Sequence, residues 1–272
     1  MIDQNLVSYK LWNEGTTKKL LTVNERNSGL ETKVKVDCYE CYKKNTYNCE
    51  TCSIFDSHYF IDWDGVQWSI APIKELISPF WIVPRQSHWY YNSISEHLIS
   101  AMFYKFKSGN KYYSRVFAFG ILKALERNSR LKKVQFDYIM GIPLSPEKLN
   151  IGFDRVFELC KIISKEMNVC YINQALSLSQ PISRRGYKLG GKSKKFLLDY
   201  YELLQLKTPE LNNKTILLID DVLTDGETLR TASLKIYDCH PGINIYAATG
   251  GIMAKKDNMK FREIQKLGGD SE

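Results

Sequence analysis

The most chemically informative stretch of the chain runs from Ile216 to Leu229. An apolar strand, Ile216 to Ile219, ends in two acids, Asp220 and Asp221. A short loop, Val222 to Gly226, then opens a helix at Glu227 and Thr228. Gly226 lets the backbone turn tightly and approach a ligand. The helix start offers free N–H groups with positive partial charge, which suits a phosphate. Thr224 and Thr228 can donate hydroxyls to it. Adjacent carboxylates at the strand end can accept hydrogen bonds from vicinal ribose hydroxyls and help hold a hydrated magnesium ion. The simpler alternative is a strand-to-helix turn with Asp221 or Thr224 as an ordinary cap. It would account for a lone Gly-Glu-Thr, but not for the whole arrangement. Asp225 stands inside the expected cradle, where a carboxylate repels phosphate. The expectation is that it turns away and leaves the backbone cradle intact.

Two further segments could serve a diphosphate. Gly141 to Ser145 follows an apolar run, so Pro143, Leu144 and Ser145 lie where backbone N–H groups and the Ser145 hydroxyl would meet it; a plain turn made by Gly and Pro is the competing reading. Between Gln180 and Phe196 stand Arg184, Arg185, Lys188, Lys192, Lys194 and Lys195, interleaved with Gly186, Gly190 and Gly191. These cations could fold over a diphosphate and exclude water. A solvated basic loop explains any single Lys equally well. Contact with a nucleic-acid backbone, which would show a steep salt dependence, is a further use.

Of the 7 Cys, Cys38, Cys41, Cys49 and Cys52 form two C-x-x-C pairs. Four thiolates suit a closed, tetrahedral, structural zinc site, with an iron–sulfur cluster as the alternative. Lys33, Lys35, Lys43 and Lys44 with Tyr39, Tyr42 and Tyr47 give this module a basic, aromatic surface, suited to single-stranded nucleic acid or to solubility. Cys160, Cys170 and Cys239 sit in apolar segments and read as core thiols. His58, His88, His97 and His240 show no ligand spacing.

The elements around these residues follow from periodicity. Residues 1–37 carry no clear period beyond a short strand near Val34 to Val36. A hairpin is expected over Tyr59 to Ile70, around Asp64 and Gly65. Pro72, Pro79 and Pro84 mark a linker or extended wrap. Ser93 and Glu96 form a capping-box pattern for a helix over 94–107, and a second helix is expected over 112–127. Apolar runs at 134–142, 169–172, 215–219 and 243–248 then alternate with helical patterns at 154–167, 193–206 and 227–238. That alternation predicts an α/β domain with a parallel sheet covered on both faces, its ligand site beyond the carboxyl ends of the strands.

With 272 residues, the chain supports one sizeable core and one smaller module. The divisions read as 1–37 N-terminal extension, 38–70 four-Cys module with its hairpin, 71–92 linker, 93–255 α/β domain and 256–272 polar tail. Hydrophobic residues at 44% and charged residues at 25% argue against general disorder. A formal net charge of +8 favours anionic partners, whether nucleotide phosphates or nucleic acid. No apolar run of about 18 residues exists to span a bilayer, and Met1 to Leu20 lacks the apolar core of a signal peptide, so no membrane insertion and a cytoplasmic location are expected.

The 216–229 segment resembles the PRPP-binding motif of type I phosphoribosyltransferases, an apolar strand ending in two acids followed by a Thr/Ser-Gly-x-Thr loop. There the family usually has a small neutral residue in place of Asp225. Over about residues 38–250 the pattern resembles ComF, a phosphoribosyltransferase-like family linked to bacterial competence and DNA uptake. The Cys pairs, Met102 to Lys107, Phe136 to Ser145 and Ile151 to Arg155 carry this resemblance. In the last box Ile151 stands for the family's Arg and Arg155 for its Gln, as if a phosphate-contacting cation had moved. The resemblance implies PRPP bound with magnesium. Asp220 and Asp221 would position the ribose, Thr224, Asp225, Gly226, Glu227 and Thr228 the 5-phosphate, and Pro143, Leu144 and Ser145 the diphosphate under the basic loop of Arg184, Arg185 and Lys188. It implies phosphoribosyl transfer to an unknown acceptor in nucleotide metabolism. The alternatives are a non-catalytic PRPP or nucleotide sensor, and a single-stranded DNA-handling factor with DNA-processing partner proteins.

Overall fold

The computed structural model describes residues 71–82, 98–144, 152–182 and 193–253, together with the backbone of 7–14, 18–25 and 31–35. The four-Cys module, the 59–70 hairpin, the capping box at Ser93, Ser145, Ile151, the basic residues 184–192 and the C-terminal tail lie outside the described residues.

Near the N-terminus, where no clear period is visible, β1 (Val7–Glu14), β2 (Lys18–Glu25) and β3 (Glu31–Lys35) form an antiparallel meander. The next described elements are β4 (Ile73–Ile77), β5 (Trp81–Ile82), α1 (Leu98–Lys107) and α2 (Ser114–Arg127). Then come β6 (Tyr138–Gly141), α3 (Arg155–Met167), β7 (Cys170–Tyr171) and β8 (Leu176–Leu178). The chain continues through α4 (Ser193–Leu203), β9 (Leu204–Leu206) and β10 (Thr215–Asp220) to α5 (Glu227–Cys239), β11 (Asn244–Thr249) and β12 (Ile252–Met253).

Five strands form one parallel sheet in the order β4-β11-β10-β6-β7. β10 lies at its centre and Ile216 to Ile219 are fully buried, because a strand covered on both faces needs an apolar side chain at every position, not at alternate ones. The crossover β6-α3-β7 runs toward one edge of the sheet and β10-α5-β11 toward the other. Right-handed crossovers in opposite directions put α3 and α5 on opposite faces. α2 packs on α3, and α4 packs on α5. The result is a three-layer α/β/α arrangement, as the alternating pattern predicts. Among the described residues no helix is long and apolar enough to cross a membrane.

Several expectations are corrected. The stretch read as a linker from residue 71 supplies edge strand β4, which pairs with β11, and its Ile73, Leu76 and Ile77 are buried. Phe80 continues this burial and meets Phe117 of α2 edge-on at 5.9 Å, while Phe117 stacks on Phe106 of α1 at 5.2 Å. Prolines placed at a sheet edge or beyond a strand end leave such pairing intact. The helix expected over 193–206 stops at Leu203. Leu204 to Leu206 instead pair antiparallel with β8, which buries Leu204 and Leu176; tertiary pairing overrides a helical period that continues in sequence. Only Tyr138 to Gly141 of the 134–142 run is strand, because a 3-10 turn at Leu131–Lys133 takes up the approach. Of the three scattered cysteines read as core thiols, only Cys160 is buried. Cys170 on edge strand β7 and Cys239 at the end of α5 are exposed.

Candidate functional site

Strand order locates the crevice. β6 leads to β7 on one side and β10 leads to β11 on the other, so the order reverses between β6 and β10, and ligands in open α/β sheets bind outside the carboxyl ends at such a point. Ile219 pairs with Gly141, and Asp220 with Thr249. The acid segment and the Gly141 loop therefore leave the sheet side by side at the same edge.

The 221–226 loop is held from behind. Leu223 N–H donates to the Gly251 carbonyl and Met253 N–H to the Leu223 carbonyl, each at 2.8 Å, while Ile252 N–H reaches the Phe80 carbonyl at 2.8 Å. Val222 and Leu223 are buried by this arrangement, and Thr224 and Asp225 are left exposed. Gly226 takes φ 75°, a left-handed conformation, at the N-cap position just before α5. Its lack of a Cβ permits that turn, and being glycine it brings no side chain to cap the helix. Arg230 N–H bonds the Gly226 carbonyl at 2.8 Å, so the helix begins at once.

Asp225 does not turn away. Its Oδ1 accepts the Glu227 N–H and the Thr224 hydroxyl, both at 3.4 Å. The carboxylate thus lies over donors that a phosphate would use. The reason is local: the first N–H groups of a helix seek an acceptor, and an Asp just ahead of them supplies one.

The two acids have different surroundings. Asp220 is half-buried, and its Oδ1 accepts the Asp221 N–H at 2.7 Å. Asp221 is buried and ion-paired through Oδ2 with Nε of Arg155, the first residue of α3, whose side chain is 1% exposed. Asp154 caps α3 by accepting the Phe157 N–H at 2.9 Å, which orients the turn that sends Arg155 inward. Arg155, expected to contact phosphate, is instead the counter-ion of the second acid. A pair so arranged fits a two-carboxylate hold on magnesium poorly, because one charge is already met inside the protein. Among the described residues no group of three or more His, Cys, Asp or Glu side chains could hold a metal ion.

The Gly141 loop is sparing with donors. Ile142 N–H bonds the Ile219 carbonyl at 2.9 Å and Pro143 has no N–H, so Leu144 carries the first amide beyond β6 without a backbone hydrogen bond among the described residues. Pro143 and Leu144 also line a cleft of about 260 Å³ on the β7 side of the loop, with Phe157, Tyr171, Asn173 and Gln174 among its walls. Under it, burial and then the nearby Asp154 charge push the Cys160 thiol well up, and it is hydrogen-bonded to the Tyr171 hydroxyl. An inert thiol results.

Tyr200 of α4 escaped the sequence reading. Its hydroxyl is buried with no hydrogen-bond partner among the described residues, and burial followed by the charge of Asp220 pushes its pKa up. Only the packing of α4 on α5 and β9 brings it within reach of the Asp220 charge; no spacing in the sequence signals it. His240 is structural, with Nε2 2.9 Å from the Thr208 hydroxyl and Nδ1 accepting the Leu211 N–H.

No family model matches the sequence. No curated protein matches it either. Among solved structures, the chain is similar to UMP synthase of Leishmania donovani, at 17% identity and a TM-score of 0.30, over 58% of this chain and 25% of that one. The chain thus spans about a quarter of that protein's length. A likeness this loose carries no argument about chemistry; the crevice between β6 and β10 has to be read from its own residues.

Proposed function

We propose that this chain binds a ribose 5-phosphate bearing a 1-diphosphate, PRPP, in the crevice between β6 and β10. The observation that carries the reading is the convergence, at the sheet's reversal point, of a strand-end carboxylate, a left-handed Gly226 and the start of α5. The resemblance of residues 216–229 to the type I phosphoribosyltransferase motif supports it. In this reading the N–H groups of Gly226 to Thr228 and the hydroxyls of Thr224 and Thr228 take the 5-phosphate. Asp220 accepts the ribose hydroxyls. Asp221 stays with Arg155 and shapes the strand end without touching ligand. Transfer to an acceptor would break the bond from the anomeric carbon to diphosphate, and stabilising that leaving group would be the main catalytic contribution. It would fall to Leu144, Ser145 and the cations Arg184, Arg185 and Lys188.

A second reading, binding without turnover, is favoured by one observation: the Asp225 carboxylate lies over the phosphate cradle. Calorimetric titration with PRPP, using Asp220→Asn and Thr228→Ala as controls, tests the site. Saturable binding weakened in both variants supports it, and no binding by folded protein sinks it. Diphosphate release during an acceptor screen then separates a transferase from a sensor.

A further inference from the structure

We propose that Arg155 is a built-in counter-ion that takes, at Asp221, the charge position a divalent metal would otherwise fill, so that ligand binding in the crevice needs little divalent metal. The inference deepens the PRPP reading and rests on it for the identity of the ligand, but the role of Arg155 can be tested without that ligand.

The case begins with burial. Arg155 is 1% exposed and Asp221 is 6% exposed, and the two are paired directly. A guanidinium stays charged under all conditions in which a protein folds, so this cation is permanent. A doubly charged ion brought to the same carboxylate would meet it at short range in a poorly screened environment, where like-charge repulsion is as strong as the attraction being sought. Arg155 is also held at a cost. Its Nη2 is buried without a hydrogen-bond partner among the described residues. Such an orphaned donor is uncommon in native proteins and calls for a reason. A role in charge compensation supplies one, because a neutral side chain in that position would remove the cation paired with a buried carboxylate. The pair also spans 66 residues of sequence. It joins the start of α3 to the end of β10, so one contact ties the acid segment to α3 and meets the charge of its second acid.

The experiment is Mn2+ binding to the full-length protein, read by electron paramagnetic resonance of the free ion. It is run on the wild type, Arg155→Gln, Arg155→Lys and Asp220→Asn, beside PRPP titrations in magnesium and in EDTA. The wild type and Arg155→Lys are expected to show no tight Mn2+ site, and Arg155→Gln to bind Mn2+ about tenfold or more tightly than the wild type. Wild-type PRPP affinity is expected to change by less than about threefold when EDTA replaces magnesium. A tight Mn2+ site in the wild type that Asp220→Asn removes would overturn the proposal, and this arm does not depend on the folding of Arg155→Gln. So would a loss of PRPP affinity beyond about tenfold in EDTA. PRPP failing to bind under either condition would instead count against the crevice as a PRPP site, while the Mn2+ comparison would still decide the role of Arg155.

Discussion

A Cβ placed on Gly250 would stand 2.9 Å from the main-chain oxygen of Asp221, with the Phe117 Cβ 3.3 Å away on the other side. The chain leaving β11 therefore passes the acid segment backbone to backbone, and its N–H reaches the Asp220 carbonyl at 3.3 Å. Neither neighbour is the tip of a flexible side chain. Gly250→Ala should cost about 1–3 kcal/mol of stability by overpacking. Urea denaturation measures it, and an unchanged midpoint would show that the strand ends can part without penalty.

The Arg155–Asp221 pair predicts an asymmetric mutational pattern. Asp221→Asn strands a buried guanidinium and should cost about 3–5 kcal/mol, whereas the double replacement Arg155→Met with Asp221→Leu should recover most of that loss. A double-mutant cycle by chemical denaturation tests this. Additive losses would mean that the two side chains stabilise the fold independently.

Asp225 sets the third prediction. Because its carboxylate accepts the Glu227 N–H, Asp225→Thr should free that donor and remove a repelling charge. Affinity of the crevice for PRPP or inorganic phosphate should rise about fivefold or more, since Asp225 is exposed and a unit charge about 4 Å from phosphate is worth about 1 kcal/mol under water-like screening. Calorimetry reads the change; equal affinity in the two proteins would place the phosphate elsewhere.

A pH dependence follows from Asp137, which accepts the Thr215 N–H at 2.8 Å and the Lys214 ammonium at 3.2 Å. The backbone hydrogen bond, ahead of the Lys214 charge, holds its carboxyl below the usual 3.8. A carboxylate lowered on folding contributes stability above its unfolded value and loses it as pH falls through the folded one. The stability gap between wild type and Asp137→Asn should thus be constant near neutrality and close in acid below about pH 4. A gap that persists undiminished at lower pH would assign the effect to shape instead of charge.

Much of this was legible in the chain itself. The run Ile216 to Ile219, the acids after it and the glycine before Glu227 specify a buried strand, its end and a helix start, because burial on both faces, strand termination and helix initiation are each local demands met by particular residue types. The helix beginning near Asp154 is legible for the same reason. The partner of Asp221 is not. Arg155 looked like a phosphate ligand in sequence because its charge is visible there and its direction is not. That direction is set by the cap at Asp154 and by the parallel register that places α3 beside β10. The same limit hid Tyr200 near Asp220, and hid β4, which becomes a strand between two prolines only because β11 offers it an edge. The kinds of group at the crevice belong to the sequence. Which acid faces ligand and which is spent inside the protein was decided by tertiary packing, since the charge a carboxylate presents depends on what the fold has already brought against it.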